Sequence, residues 1–209
     1  MTHRPAFAPG TSWGYSNTNY YLAGMIVERI TGRPLADEIS RRITRPLGLT
    51  RTYLPDRGTV IPGPHPRHYS KLHRDTVPDA KVYDVADMDQ STSWAAGGMV
   101  SSAEDMNRFF SALLGGRLLP PAQQREMFTT VPSKDYIPGV TGYGLGVLSQ
   151  KLPCGRTVWG NGGATWGSWS YTMGTRDGRH MLAQNINADW IPAHIGVFPD
   201  VLQAEFCRK

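Results

Sequence analysis

The chain has 209 residues and only two cysteines, Cys154 and Cys207. They stand 53 positions apart, without the close pairs that zinc fingers and ribbons require, so a structural zinc site of that kind is excluded. In an intracellular protein, two such residues read as buried free thiols. Long apolar runs are also missing. The longest, residues 20–27, is far short of the ~20 residues that span a bilayer as a helix. Met1-Thr2-His3-Arg4-Pro5 is not followed by the apolar core and small-residue cleavage site of a signal peptide. Repeats and low-complexity segments are absent. The formal charge is +5, yet the arginines are scattered singly. No basic helix face and no interleaving of basic and aromatic residues appears, which argues against nucleic acid as a partner. Such scattered charge reads first as a generic solvated surface, with attraction to an anionic cell wall as the alternative.

The composition is that of an ordinary globular protein, 40% hydrophobic and 19% charged. That length supports one domain or two small ones with a real core. Residues 17–31 read as a helix stopped by Gly32, with Pro34 beyond it. Leu35, Ile39 and Ile43 recur at the four-residue spacing of a second, amphipathic helix over 35–43. Residues 58–80, rich in Pro, Gly and His, read as a long surface loop. Ser102-x-x-Asp105 has the form of a capping box ahead of a helix through Leu114, and Gly115-Gly116 ends it. Pro121 opens a short helix to about Phe128.

After Gly142 the pattern changes to short aromatic and β-branched runs at 144–149, 157–160, 168–174 and 180–186. Arg176-Asp177-Gly178 supplies a hairpin turn before the last. A closing helix fits 191–206. Helices followed by an antiparallel strand block predict an α+β fold. The division falls between a mainly helical part with long loops, 1–140, and a part of antiparallel strands plus a C-terminal helix, 141–209.

The most informative stretch is Tyr15-Ser16-Asn17, at the mouth of the first helix. A phenol there can relay a proton once a nearby cation lowers its pKa. A carboxamide two residues on can hold an acyl amide in register. As a bare tripeptide it equally describes an aromatic beside helix-capping residues. Three other features have plainer readings. Gly10-Thr11-Ser12-Trp13-Gly14 matches the nucleophile-elbow pattern, but that motif needs a buried strand before it, and residues 4–9 hold two prolines. His65, His68 and His73 have loop-like spacing and no acidic or thiolate partner nearby, so a solvated loop is favoured over a metal site. Glu28, Asp37 and Glu38 read as exposed helix faces.

The wider context is more specific. Residues 9–54, with Tyr15-Ser16-Asn17-Thr18-Asn19-Tyr20, Leu22-Ala23-Gly24, Ile30-Thr31-Gly32 and Pro46-Leu47-Gly48-Leu49, resemble the serine penicillin-recognising hydrolases. Among these, the exported DD-carboxypeptidases and class C-like β-lactamases are most similar. The resemblance recurs in Ser93-Trp94-Ala95-Ala96-Gly97-Gly98, in Gly142-Tyr143-Gly144-Leu145-Gly146, and in Cys154-Gly155 ahead of Trp159-Gly160. It implies a β-lactamase/transpeptidase-like fold, in which a helical lobe packs on an antiparallel sheet flanked by helices with the site between them. It also implies acyl-enzyme hydrolysis of a small-molecule or peptide substrate, a cell-wall stem peptide or β-lactam, with no cofactor and no metal. Tyr15 would be the proton relay, Asn17 the substrate clamp and Trp94 a wall of the acyl pocket. The cysteines match positions that are bonded in the exported carboxypeptidases, so a Cys154–Cys207 disulfide and a secreted or cell-envelope parent are implied.

Two departures stand out. These enzymes share a Ser-x-x-Lys that supplies the nucleophile, and no serine in this chain has a lysine three positions on; Ser70-Lys71, Ser133-Lys134 and Ser149-x-Lys151 are the nearest approaches. In the family that motif lies well upstream of Tyr-x-Asn, and fourteen residues precede Tyr15 here. The chain is therefore expected to be a C-terminal portion, inactive alone, with a sheet edge and the back of the helical lobe exposed. The second departure lies in the cleft-strand motif. The resemblance puts Asn161 where a lysine or histidine cation is expected, Gly162 where a hydroxyl is common and Gly163 at the close-approach glycine. Ala164 replaces a threonine of some carboxypeptidases. A neutral amide hydrogen-bonds but supplies no charge. Two alternatives stay open: a non-catalytic binder of peptidoglycan or β-lactams, and an esterase-like relative, since some of those carry a Trp-Gly-Gly type of third motif.

Overall fold

The structure, a computed structural model, describes residues 4–56, 61–89, 91–133, 139–190 and 194–207, for 194–196 the backbone alone. Helix α1, Asn17–Thr31, starts and stops where local chemistry dictates. The Ser16 hydroxyl accepts from Thr18 N, and Gly32 adopts φ 67° while its N–H closes on Glu28 O. The Glu28 carboxylate then accepts from Leu35 N at 2.8 Å, fixing the start of α2, Leu35–Ile39. The expected single helix over 35–43 instead widens into one π-turn, Ser40–Thr44, before α3, Arg45–Leu47. Residue 46 is a proline and cannot donate to the carbonyl four residues back, so the α ladder cannot run through this point. Glu38 is buried there and not on an exposed face, paired to both Arg41 and Arg42.

Residues 58–80 were expected to be irregular, but Tyr69–Ser70 (β1) pairs with Tyr83–Asp84 (β2). Tyr69 N donates to Asn187 O at 3.0 Å, tying this hairpin to the chain beyond the main sheet. Residues 57–60 lie outside the described residues. Helix α4, Ala103–Leu114, is capped by Ser102, whose hydroxyl accepts from Asp105 N. The box is only half formed. Asp105 is buried and its carboxylate accepts instead from Arg51 N and Thr52 Oγ1, both at 2.8 Å, which anchors the preceding loop. Helix α5, Pro121–Met127, follows.

Among the described residues, six strands make one antiparallel sheet in chain order: β3 Val131–Pro132, β4 Val140–Tyr143, β5 Leu148–Lys151, β6 Thr157–Thr165, β7 Ser168–Gly174 and β8 Met181–Ile186. The two short first strands and the second half of β6 had no clear signature in the sequence. β6 continues through Gly160 and Gly162 because bare backbone is what fits there beside β7. A Cβ on Gly160 would overlap the Thr172 carbonyl, and one on Gly162 would approach Ser170 O to 2.9 Å.

Alternation sets the two faces of the sheet. Leu148, Val158, Tyr171 and Met173 pack against Phe198, Leu202 and Phe206 of α6, His194–Phe206. Val147 on the opposite side packs against Phe110 and Leu113 of α4. The first three residues expected in the closing helix, 191–193, lie outside the described residues. The Cys154–Cys207 disulfide fastens the end of α6 to the β5–β6 turn, and Arg156 Nη1 donates to Phe206 O beside it at 2.6 Å.

Candidate active site

Trp13, on the segment leading into α1, fixes Tyr15 and Asn17 relative to the sheet. Its indole N–H donates to Pro132 O on β3 at 3.2 Å, and its ring stacks on Tyr143 of β4 at 4.7 Å. Sequence reading did not single out this anchor; an aromatic between Ser12 and Gly14 at a helix entry was the available signal. The Tyr15 hydroxyl donates to Asn17 Oδ1 at 3.0 Å. Tyr15 is 41% exposed, and burial, with Tyr20 as the smaller cause, pushes its phenol above the usual range. Neither cause is a cation, so the lowered phenol that the resemblance implies is not what these residues produce.

Asn161 approaches from β6. Odd-numbered residues of this strand face away from α6, because Val158 and Gly160, with Tyr171 opposite Gly162, make up the α6 side. The Asn161 amide donates through Nδ2 to Gly146 O at 3.0 Å and accepts through Oδ1 from Gly162 N at 2.7 Å. Gly146 lies in the β4–β5 turn, three residues beyond the Tyr143 ring that Trp13 covers. One hairpin therefore holds both the Tyr15–Asn17 segment and the Asn161 side chain. Gly163 is open: a Cβ there would meet nothing within 4 Å, so backbone is accessible on this stretch of strand.

Trp94 lies one helical turn along α1 from Asn17. Its ring stacks on Tyr21 at 6.4 Å, and the Tyr21 hydroxyl donates to Thr92 O at 2.7 Å. Gly24 makes room for it, since a Cβ there would come within 2.9 Å of Trp94 Cη2 and 2.7 Å of Ala95 Cβ. The residue is half-buried with φ 32° and ψ −120°, a backbone state that non-glycine residues rarely occupy and that the Gly97 and Gly98 N–H bonds to its carbonyl support. It joins Tyr15 and Asn17 at the N-terminal half of α1. The Cys154–Cys207 bond lies on the α6 side of the sheet, with Cys207 against the core there.

The other candidates have separate roles. Residues 8–14 form turns, not a strand, so Ser12 is not on a nucleophile elbow. His65 Nδ1 contacts Gly63 O, His68 Nδ1 contacts Gly167 O and the His73 ring meets Trp166 edge-on. Each histidine has its own partner, and among the described residues no group of three or more His, Cys, Asp or Glu is placed to hold a metal. Among the described residues no helix is long and apolar enough to cross a membrane.

This chain matches the model of the Beta-lactamase family over residues 1–183. It belongs to that family. The membership fits the Tyr-x-Asn at a helix mouth and the glycine-rich strand on the same hairpin. The D-stereospecific amidohydrolase from Streptomyces sp. is 47% identical with a TM-score of 0.88, covering 99% of this chain and 58% of its own. The D-amino acid amidase from Ochrobactrum anthropi SV3, solved with L-phenylalanine amide, is 28% identical with a TM-score of 0.75 and covers 92% of this chain and 56% of its own. A putative D-alanyl-D-alanine carboxypeptidase from Escherichia coli K12 is 48% identical over 46 residues, 22% of this chain and 11% of that protein. The chain thus spans under two thirds of the length of each, and its relatives are serine hydrolases of the amidase, D-aminopeptidase and DD-carboxypeptidase kinds.

Proposed function

We propose that this chain supplies the proton-relay and substrate-holding part of a serine amidohydrolase acting on amides of D-configured amino acid residues. One observation carries the reading: the Tyr15–Asn17 pair and the neutral Asn161 amide are fixed to the same β4–β5 hairpin. A serine outside these 209 residues attacks the substrate carbonyl and forms the acyl-enzyme. Tyr15 passes the serine proton to the leaving nitrogen, so that C–N cleavage expels a neutral amine. Water then releases the acyl group. Asn17 holds the acyl side of the substrate through its carboxamide, and the open backbone at Gly163 lies along it. Asn161 offers hydrogen bonds without charge, which suits a leaving group lacking a free carboxylate better than a terminal D-alanine. The likeness to the Streptomyces amidohydrolase over nearly the whole chain supports the same substrate class. The Cys154–Cys207 bond supports an oxidising, extracytoplasmic setting.

The test is a fusion in which the uncovered part of the Streptomyces protein precedes this chain, assayed with D-phenylalanine amide. Turnover is expected, and Tyr15→Phe lowers kcat by roughly 10²–10⁴-fold, as for loss of a positioned acid–base group. A fusion unaffected by that substitution overturns the reading. The unfused chain forms no covalent penicillin adduct; a stoichiometric mass shift contradicts this. A second reading rests on the neutral Asn161: a binder of stem peptides or β-lactams without turnover. Reversible NMR shifts of Tyr15 and Asn161 signals with no adduct favour it, and their absence removes it.

A further inference from the structure

Beyond Gly160 the strand β6 has no partner on its β5 side among the described residues. The β5–β6 pairs end at Leu148 with Gly160, while the β6–β7 pairs run on to Thr165 with Ser168. Gly163 and Ala164 on this stretch are exposed. The open edge leads to the β6–β7 turn, where half-buried Trp166 meets the exposed His73 ring edge-on, with ring centres 4.3 Å apart. The backbone that brings His73 there is unusual. Leu72 at φ 50° and His73 at φ 66° are consecutive left-handed residues, and neither is glycine. Their surroundings hold them in place. Leu72 N donates to Oγ of the fully buried Ser70 at 2.9 Å. The buried Lys71 ammonium closes the following turn by donating to Val77 O at 3.1 Å and Pro78 O at 2.8 Å. The same segment grips the turn that carries Trp166. His68 Nδ1 lies 3.1 Å from Gly167 O, and a Cβ on Gly167 would come within 2.6 Å of Val85 Cγ2 and 2.8 Å of Tyr69 N. Backbone strain held by its surroundings in this way clusters where a side chain is placed for a ligand.

We propose that the His73–Trp166 pair is a subsite for the substrate residue that precedes the D-residue, and that it selects an aromatic side chain there. This rests on the function proposed above, in which the acyl side of the substrate lies along Gly163. Trp166 is three positions beyond Gly163, about 10 Å of extended chain. A D-residue lying at Gly163 ends short of it. The preceding residue stands about 3.5 Å further on, and a ring on its side chain covers the remaining distance. Trp166 offers an indole with the His73 imidazole fixed against it, so a third ring completes an offset or edge-to-face cluster. The substrates are then N-extended amides of D-residues, not free D-amino acid amides alone.

The experiment compares the fusion on D-phenylalanine amide, glycyl-D-phenylalanine amide and L-phenylalanyl-D-phenylalanine amide. Each loses ammonia from the same D-phenylalanyl carbonyl as water adds. The ring-bearing dipeptide should exceed the glycyl one in kcat/KM by about tenfold or more, through KM. His73→Gly keeps the left-handed backbone without its strain and removes the ring. It should lower that ratio at least about threefold while the melting temperature stays equal or rises; a role confined to holding the loop would leave the ratio alone. Trp166→Ala should lower the ratio further, and Trp166→Phe should restore part of it. Equal kcat/KM on the two dipeptides, or a ratio indifferent to both His73→Gly and Trp166→Ala, overturns the subsite. The two readings fail separately. Turnover of D-phenylalanine amide with neither dipeptide hydrolysed overturns the subsite and leaves the function standing. A fusion inert on all three overturns the function, and the Trp166 indole N–H signal in NMR then decides the subsite. A shift with the phenylalanyl dipeptide and none with the glycyl one upholds it, and any other pattern overturns it.

Discussion

Removing the Cys154–Cys207 bond, by Cys154→Ala with Cys207→Ala or by reduction, isolates how much of the fold depends on one covalent link. The cysteines are separated by 53 residues, and a closed loop of that size removes about 4 kcal/mol of chain entropy from the unfolded state at 25 °C. The folded state has other ties at the same place. Phe198, Leu202 and Phe206 are buried against the sheet, and Arg156 holds the Phe206 carbonyl. The native geometry of α6 therefore survives, and the loss falls on the unfolded side. Against a typical total of about 5–15 kcal/mol, such a loss is large. Guanidinium unfolding of the oxidised chain and the double-alanine variant should give parallel transitions whose free energies differ by about 3–4 kcal/mol. A difference under about 1 kcal/mol would refute the entropic reasoning. An unchanged free energy with early loss of helical signal would show instead that α6 unfolds separately.

Three further outcomes follow from packing and charge. Gly160→Ala forces a methyl group into the Thr172 carbonyl and should destabilise the chain by about 3 kcal/mol or more, read as a fall in the denaturation midpoint. Tyr171→Phe removes the hydroxyl that donates to Gln150 Oε1 at 3.0 Å between two buried side chains; the stranded acceptor should cost about 1–3 kcal/mol in the same assay. Hydrogen bonds from Arg41 and then Arg42 hold Glu38 below the usual carboxylate range. A lowered folded pKa means that its stabilisation is present above the unfolded value of about 4.3 and is lost as pH falls through the folded one. Melting temperature should therefore drop on acidification below about pH 4.3, with a shallower drop in Glu38→Gln; parallel curves would contradict the pairing.

The parts of the fold that were legible in the sequence are those fixed by neighbouring residues. α1 begins and ends as Ser16 and Gly32 require, and β7 occupies residues 168–174 as its aromatic alternation predicted. The Arg176-Asp177-Gly178 turn closes through Gly178 N to Thr175 O, with Gly178 at φ 69°. The features that were not legible depend on distant partners. Asp105 looked like a local capping acid until the backbone at Arg51 competed for it. The run read at 157–160 stopped short of the full strand β6, because what fits Gly160 and Gly162 into it is the neighbouring β7 backbone. Trp94 has an uncommon φ that packing on Gly24 and Tyr21 and the Gly97 and Gly98 N–H bonds to its carbonyl support. The motif residues Tyr15, Asn17 and Asn161 were legible as positions. Their common attachment to the β4–β5 hairpin, through Trp13 and Gly146, was not.

Asn161 is where chemistry and architecture meet most directly. Its amide uses one N–H on Gly146 O and one lone pair on Gly162 N, leaving one of each for a ligand. A cation at the same place would attract a substrate carboxylate some 4 Å away with about 1 kcal/mol in water and about 4 kcal/mol at the effective dielectric of a protein surface. It would also pull the Tyr15 phenol down, where burial now pushes it up. A neutral side chain forgoes both effects and keeps the hairpin tie. In the active fusion, Asn161→His should therefore raise the preference for a D-alanyl-D-alanine peptide over D-phenylalanine amide by about fivefold or more, the ratio that corresponds to the lower Coulomb figure. The gain should fade as pH rises through about 6.5, where histidine loses its charge. Lysine at the position should shift the preference likewise but keep it past neutral pH. A ratio of kcat/KM values unchanged by either substitution would show that leaving-group choice is set elsewhere in the cleft, and that Asn161 matters for holding Gly146 alone.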